Sequence, residues 1–143
     1  MTREDLRVTA DNYVKAWQRR DPVAIGQHHA LDGVMESLIY SRLHGRKAIE
    51  DAARAFFTSF PDARFIIDAV IVDVPQVAVF TTVDGKHVHE FFGMPGTNRH
   101  LEFQSGWLLE MNEDLLIVSG RRIFDFTGLL VQLGILRAKP AKP

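Results

Sequence analysis

The chain has 143 residues, 46% hydrophobic and 24% charged, with 17 Lys and Arg against 18 Asp and Glu and no cysteine. A net charge this close to zero gives no electrostatic footprint for nucleic acid or an anionic membrane, and without cysteine there can be no disulfide, thiolate nucleophile or Cys-ligated zinc. The length suits one domain with a substantial core. No apolar run reaches the roughly 18 residues of a membrane span, and the charged start from Met1 to Asp5 has no signal-peptide core behind it, so a cytoplasmic location is expected.

Thr2 with Asp5 three residues on predicts a helix N-terminus, a hydroxyl cap with a carboxylate in the first turn. Leu6, Ala10, Tyr13, Val14 and Trp17 then recur at helical spacing, which predicts an amphipathic helix over residues 3–20. Asp21-Pro22 restarts the chain as a cap and first-turn proline, with a second short helix to about Ala30. A strand is expected over 34–43. Gly45 precedes a third helix whose face carries Ile49, Ala52, Ala53, Phe56, Phe57 and Phe60, a stripe that reads as core. Pro61 stops it.

Beyond Pro61 the pattern turns to strands. Residues 64–73 and 76–83 are rich in Val, Ile, Phe and Thr, which suit a pleated sheet. Asp84-Gly85 predicts a two-residue hairpin leading into a strand over 86–92. Further strands are expected at 99–111 and 115–124, and a short helix at 127–136. The domain is expected to span 1–137, with Ala138 to Pro143 a flexible tail. Helices gathered on one face of an antiparallel sheet give an α+β architecture. If the sheet curls around the first helix, the space between them becomes a pocket.

From about Tyr13 to Leu136 the sequence resembles the SnoaL-like polyketide cyclases, or ester cyclases, of the NTF2-like superfamily. Gly45-Arg46 and Phe60-Pro61-Asp62 resemble the family's glycine and its FPD segment. Gly85 to Thr97 resembles its GTHxGxFxGxPPTG run. Ile117, Asp125 and Gln132-Leu133-Gly134 resemble its closing pattern. There are departures. Gly96 and Asn98 stand at the family's second proline and second glycine, Phe80 where many members have arginine, and Gly120 where many have histidine in the last strand. The resemblance implies a cone-shaped α+β fold, with a curved antiparallel sheet wrapped around N-terminal helices and a pocket between them.

It also places Asp125 where the aldol-forming cyclases have their acid/base aspartate. Phe124 and Phe126 flank it, and apolar surroundings oppose ionisation of a carboxylate, which suits a group that takes a proton from carbon and returns it to oxygen. The same aspartate is also good N-cap chemistry for the last helix. His87 and His89 form a His-x-His on a predicted strand and so share one face. The expected hairpin puts Thr82 opposite His87 and Phe80 opposite His89, on a face with Ala78 and Phe91. Of the two histidines only His87 matches the family pattern.

Tyr13 and Trp17, one helical turn apart, are candidates to face the pocket or to pack in the core. Phe103 alternates with Leu101 and Trp107 on one buried strand face. Arg121 and Arg122 are open to two readings, contact with an acidic substituent or a solvated pair on a strand edge. The remaining histidines lie near predicted turns or element ends and receive no role. No serine has a nucleophile-elbow context, and no third ligand joins the histidines to make a metal site.

The resemblance implies cofactor-independent acid/base chemistry on a small polyketide-like carbonyl compound, either aldol ring closure or isomerisation, with Asp125 and His87 as catalytic residues. Substrate contacts would fall to Tyr13, Trp17, Phe80, His89, Phe91 and Phe103. The alternatives are hydration or dehydration of a small apolar substrate, and a non-catalytic ligand-binding or dimerisation domain. A homodimer is expected, with neither nucleic acid nor membrane as partner.

Overall fold

The computed structural model describes residues 1–37 and 41–137. The expected tail at 138–143, and positions 38–40 of the expected strand at 34–43, lie outside the described residues.

The first helix, α1, spans Arg3–Gln18. Its start is a reciprocal capping box: Asp5 N–H donates to Thr2 Oγ1 at 3.1 Å and Thr2 N–H donates to Asp5 Oδ2 at 2.8 Å. The predicted stripe is its buried face, with Leu6, Ala10, Tyr13, Val14 and Trp17 almost wholly inaccessible. Arg20, at φ +54°, breaks the helix, and Asp21 accepts from Ala24 N–H to start α2 at Pro22–Gln27. This second helix stops short of Ala30 because β1 already begins at His29 and runs to Ser37. A separate short strand, β2, covers Ser41–His44. Helix α3, Arg46–Ser59, follows Gly45, whose φ of +88° needs a residue without a Cβ.

The remaining strands are β3 (Arg64–Asp73), β4 (Gln76–Lys86), β5 (His100–Met111) and β6 (Ile117–Phe124), with α4 (Phe126–Gln132) closing the order. All six strands form one sheet in the order β2-β1-β6-β5-β4-β3. Among the described strands only the β1–β6 pairing is parallel. The sheet is curved, and α1 and α3 lie against its inner face while α4 packs on β5. Period-2 alternation sorts the side chains. Val77, Val79, Thr81 and Val83 of β4 and Leu101, Ser105, Trp107 and Leu109 of β5 are buried inward, while Phe80 and Leu108 point outward. The α+β expectation therefore holds.

One turn is corrected. Asp84-Gly85 is not a hairpin: β4 continues through it, paired with β3 through Arg64↔Asp84 and with β5 through Gly85↔Leu101. The chain reverses only beyond it, through residues 87–99, which lead from Lys86 of β4 to its partner His100 of β5. Two interactions hold the chain straight. Asp84 is buried and bound by both arms of Arg64, at 3.0 and 3.1 Å. Gly85 lets Ala63 approach closely, since a Cβ there would lie 3.2 Å from Ala63 Cα. The predicted strand at 86–92 is instead an irregular segment, 87–99, tied to α3 by Val88 N–H donating to Ser59 O at 2.9 Å.

Candidate functional site

A cavity of about 60 Å³ lies between α1, α3 and the inner face of the sheet. Trp17 of α1, Phe56 of α3, and Phe65, Phe103, Trp107 and Phe124 of the sheet form its wall, and Phe91 and Phe92 reach it from the 87–99 segment. The rings touch in chains of edge and tilted contacts. Trp17 lies 5.6 Å from Trp107 and 5.4 Å from Phe65, centroid to centroid. Of the expected ligand contacts, Trp17, Phe91 and Phe103 are thus gathered here.

Among the described lining residues the polar ones are Ser37, Ser105 and Arg122. Trp107 Nε1 donates to Ser105 Oγ at 2.8 Å. The Arg122 guanidinium sits over both indoles, 4.5 Å from the Trp17 ring centre and 4.9 Å from that of Trp107, a doubled cation–π contact. Strand alternation separates it from its neighbour: Arg121 points outward, 3.7 Å from Glu36. The reading of Arg121 and Arg122 as one solvated pair is corrected on that ground.

Tyr13 and His29 lie behind the Trp107 ring, both with no exposed surface. Tyr13 Oη and His29 Nε2 are 2.8 Å apart. The His29 carbonyl accepts from Arg46 Nε at 2.9 Å and Nη2 at 2.7 Å, which pins the start of β1 to α3. Burial, and then the nearby positive charge of Arg122, hold the His29 imidazole down at a pKa of about 3. It is neutral at physiological pH. Burial raises the Tyr13 phenol, with Arg122 acting in the opposite sense. Tyr13 therefore belongs to a packed hydrogen-bonded pair rather than to the cavity surface.

The other expected site residues fall elsewhere. His87 is buried but does not line the cavity. Its ring stacks on Phe60 at 5.6 Å and its Nδ1 pairs with Thr97 Oγ1 at 3.0 Å. Burial keeps its pKa below that of free imidazole. His89 is exposed, two residues along an irregular segment, so the shared strand face with His87 does not exist. Phe80 lies opposite Ala69 and Gly106, not His89, and is 47% exposed on the outer face. Asp125 is exposed on the outer side with Arg121 and Ile123, where its Oδ1 accepts the Gly128 N–H at 2.8 Å and caps α4. Its neighbour Phe124 does not enclose it, because that ring lines the inner cavity while Asp125, just past the end of β6, lies on the outer side.

Gly120 has a steric explanation. A Cβ there would lie 2.6 Å from Met35 Cε and 3.2 Å from Leu109 Cδ2, so Met35 occupies the space that a larger residue would need. Sequence reasoning missed His29, whose position at the first residue of β1 carries no signal. For Arg122, which the sequence left open between two readings, alternation with Gly120 and Phe124 could have chosen the inward one. Among the described residues no three His, Asp or Glu side chains gather to hold a metal ion, and no described helix is long and apolar enough to cross a membrane.

A curved, unclosed sheet with helices packed on its inner face around an aromatic cavity is the ketosteroid isomerase-like, or NTF2-like, fold. Within that fold the chain belongs to the SnoaL-like polyketide cyclase family, whose model matches residues 7–133. Solved structures show the same architecture. AclR of Streptomyces galilaeus, provisionally assigned as a hydroxylase, superposes with a TM-score of 0.85 at 22% identity, over 97% of this chain and 91% of that one. IdmH of Streptomyces antibioticus, provisionally assigned as a polyketide cyclase, gives 0.77 at 21% over 90% and 98%. A protein of ketosteroid isomerase-like fold from Catenulispora acidiphila gives 0.76 at 17% over 90% and 93%. Similarity at this level carries the fold and not the reaction. No curated protein matches the sequence significantly.

Proposed function

We propose that the protein binds a small planar carbonyl compound of polyketide type in the cavity between α1, α3 and the sheet. The observation that carries this reading is the pair of indoles, Trp17 and Trp107, standing together at the cavity wall with Phe65 beside them. Flat aromatic walls favour flat ligands, through offset and edge contacts. The cavity, at about 60 Å³, is smaller than the roughly 300 Å³ at which small-molecule sites begin. Binding therefore requires wall side chains to turn aside. The chain has two tryptophans and both are in the wall, so fluorescence titration with 2-acetonaphthone, a neutral aryl ketone, reads occupancy directly. Saturable quenching, weakened by Trp17→Leu, supports the reading. A linear, non-saturating response overturns it.

The second reading adds catalysis. Asp125 takes a proton from a carbon between two carbonyls, and the resulting enolate attacks another carbonyl to close a ring, or is reprotonated elsewhere to isomerise the compound. Two points favour it: the sequence resemblance implies that Asp125 is the counterpart of the family's acid/base aspartate, and Asp125 directly follows the cavity-wall residue Phe124. The carboxylate would have to leave the Gly128 N–H and swing past Phe124. His87 would brace the 87–99 segment through Thr97. Deuterium exchange at the acidic carbon of 2-acetyl-1-tetralone, followed by proton NMR, tests this step alone. Exchange accelerated by the wild type and lost in Asp125→Asn supports catalysis, and equal rates leave binding as the function.

The assembly we infer is a homodimer through the outer sheet face, where Phe80, Leu108, Ile123, Ile66 and Ile71 are all more than 40% exposed. An apolar surface of this kind on a sheet is a partner surface more often than a solvated one.

A further inference from the structure

We propose that the cavity selects ligands bearing an anionic oxygen, a carboxylate or an enolate, through Arg122. This deepens, and rests on, the reading of the cavity as a binding site for planar carbonyl compounds. Among the described lining residues Arg122 is the one that carries a formal charge, and none of them is Asp or Glu. The guanidinium is held in place by the two indoles on which it lies, at 4.5 and 4.9 Å. Little rotamer freedom then remains to be lost when it meets a ligand, which is where a planar donor fork gains over a flexible ammonium. The same charge is felt deeper in the core, where it helps to hold His29 neutral.

Geometry supplies the second half of the argument. Arg122 lines the cavity as the cross-strand partner of Trp107, and Ser105, two residues before Trp107 on β5, lines it too, with its hydroxyl accepting from Trp107 Nε1. A flat ligand lying along Trp17 and Trp107 would direct an edge substituent at the guanidinium. In low-dielectric surroundings a charge-assisted hydrogen bond there is stronger than in water. An aryl carboxylate or a 1,3-dicarbonyl in its enolate form satisfies both the flat wall and the positive edge. A neutral ketone satisfies only the wall.

The test compares 2-naphthoate with its neutral isostere 2-naphthamide by tryptophan fluorescence, in wild type, Arg122→Met and Arg122→Lys. Wild type should bind the carboxylate about tenfold more tightly than the amide, the scale of one hydrogen bond to a charged group. Arg122→Met should bring the two ligands to parity while still binding the amide, and Arg122→Lys should keep part of the preference. Retained amide binding by Arg122→Met shows that this variant is folded, and a misfolded Met variant leaves the Lys variant and the wild-type preference to decide. Equal affinity in wild type, or a preference that survives Arg122→Met, overturns the anion selectivity and leaves the cavity reading intact. If neither ligand binds wild type, the cavity reading itself fails and the selectivity falls with it.

Discussion

Tyr13 Oη lies 2.8 Å from His29 Nε2, and neither residue has any surface exposed to solvent. The pair joins the middle of α1 to the first residue of β1, with the Trp107 ring packed edge-on against Tyr13 at 5.6 Å. A polar contact at this depth makes the cavity floor sensitive both to pH and to deletion of a single oxygen.

The pH effect has a definite sign. His29 stays unprotonated in the fold down to a pKa of about 3, whereas in the unfolded chain it takes a proton near the unperturbed value of about 6.5. Its contribution to stability is therefore complete above about pH 6.5 and declines as pH falls towards 3, by at most about 1.4 kcal/mol per pH unit. His28 and His87 are also shifted down by burial and act in the same direction. Urea unfolding at pH 7.5, 6.0 and 5.0 should show the decline, and His29→Gln should flatten it between 6.0 and 5.0. Identical slopes in the two proteins would sink the assignment.

Tyr13→Phe removes the hydroxyl and leaves both nitrogens of His29 without a partner, because Nδ1 is already buried and unpaired. An orphaned buried polar group costs about 1–3 kcal/mol. The double variant Tyr13→Phe/His29→Leu replaces both partners with apolar groups and should lose less than the sum of the two single changes. A double-mutant cycle by denaturant unfolding measures the coupling. Strict additivity would mean that the 2.8 Å contact contributes nothing.

How far the sequence could be read follows from where its signals are local. The α1 stripe, its Thr2 cap, the Asp21-Pro22 restart and the Pro61 stop all depend on residues within a few positions, and each stands in the structure. Asp84-Gly85 misled because a turn dipeptide is only a preference. Arg64 and Leu101, distant in sequence, override it with an ion pair and a sheet partner. The loss of that hairpin displaced His87, His89 and Phe80 together, since their expected faces all depended on it. Arg122 is the reverse case. Alternation predicts its inward side, but nothing local says that two indoles from different elements will be waiting for it.

Asp125 offers a contrast between capping and catalysis. Asn is as good an N-cap as Asp, while Ala is not. Asp125→Ala should therefore cost about 1 kcal/mol of stability and Asp125→Asn little, since each loses or keeps an acceptor for Gly128 N–H. If the residue also abstracts a proton, the Asn variant stays stable yet loses exchange at an acidic carbon. Thermal unfolding of the two variants decides the first point. A loss in Asn as large as in Ala would mean that the charge, not the cap, is what α4 uses.

Gly96 controls the segment that brings Phe91 and Phe92 to the cavity. A Cβ at 96 would stand 1.9 Å from the Val88 carbonyl oxygen, a backbone atom that cannot turn aside. Gly96→Ala should therefore cost at least about 2 kcal/mol, at the level of forced overpacking, and should weaken 2-acetonaphthone binding by displacing the aromatic wall. Fluorescence titration alongside thermal unfolding tests both. An Ala variant of unchanged stability and affinity would show that residues 87–99 adopt another path.

The outer face of the sheet gives the last prediction. Ile123 is 65% exposed on the β6 side of a surface that includes Leu108 of β5 and Phe80 of β4, and Arg121 beside it is tied to Glu36. Pairing two such faces would bury the apolar side chains of both copies without disturbing the inner cavity, because alternation keeps the two sides of β6 separate. Ile123→Glu places a like charge against itself across the two-fold axis of a symmetric dimer, or nearby. It should convert the dimer to a monomer in sedimentation velocity while leaving the circular dichroism and the tryptophan emission unchanged. The wild type sedimenting as a monomer over the whole concentration range would remove the dimer, and the exposed isoleucines would then need another partner.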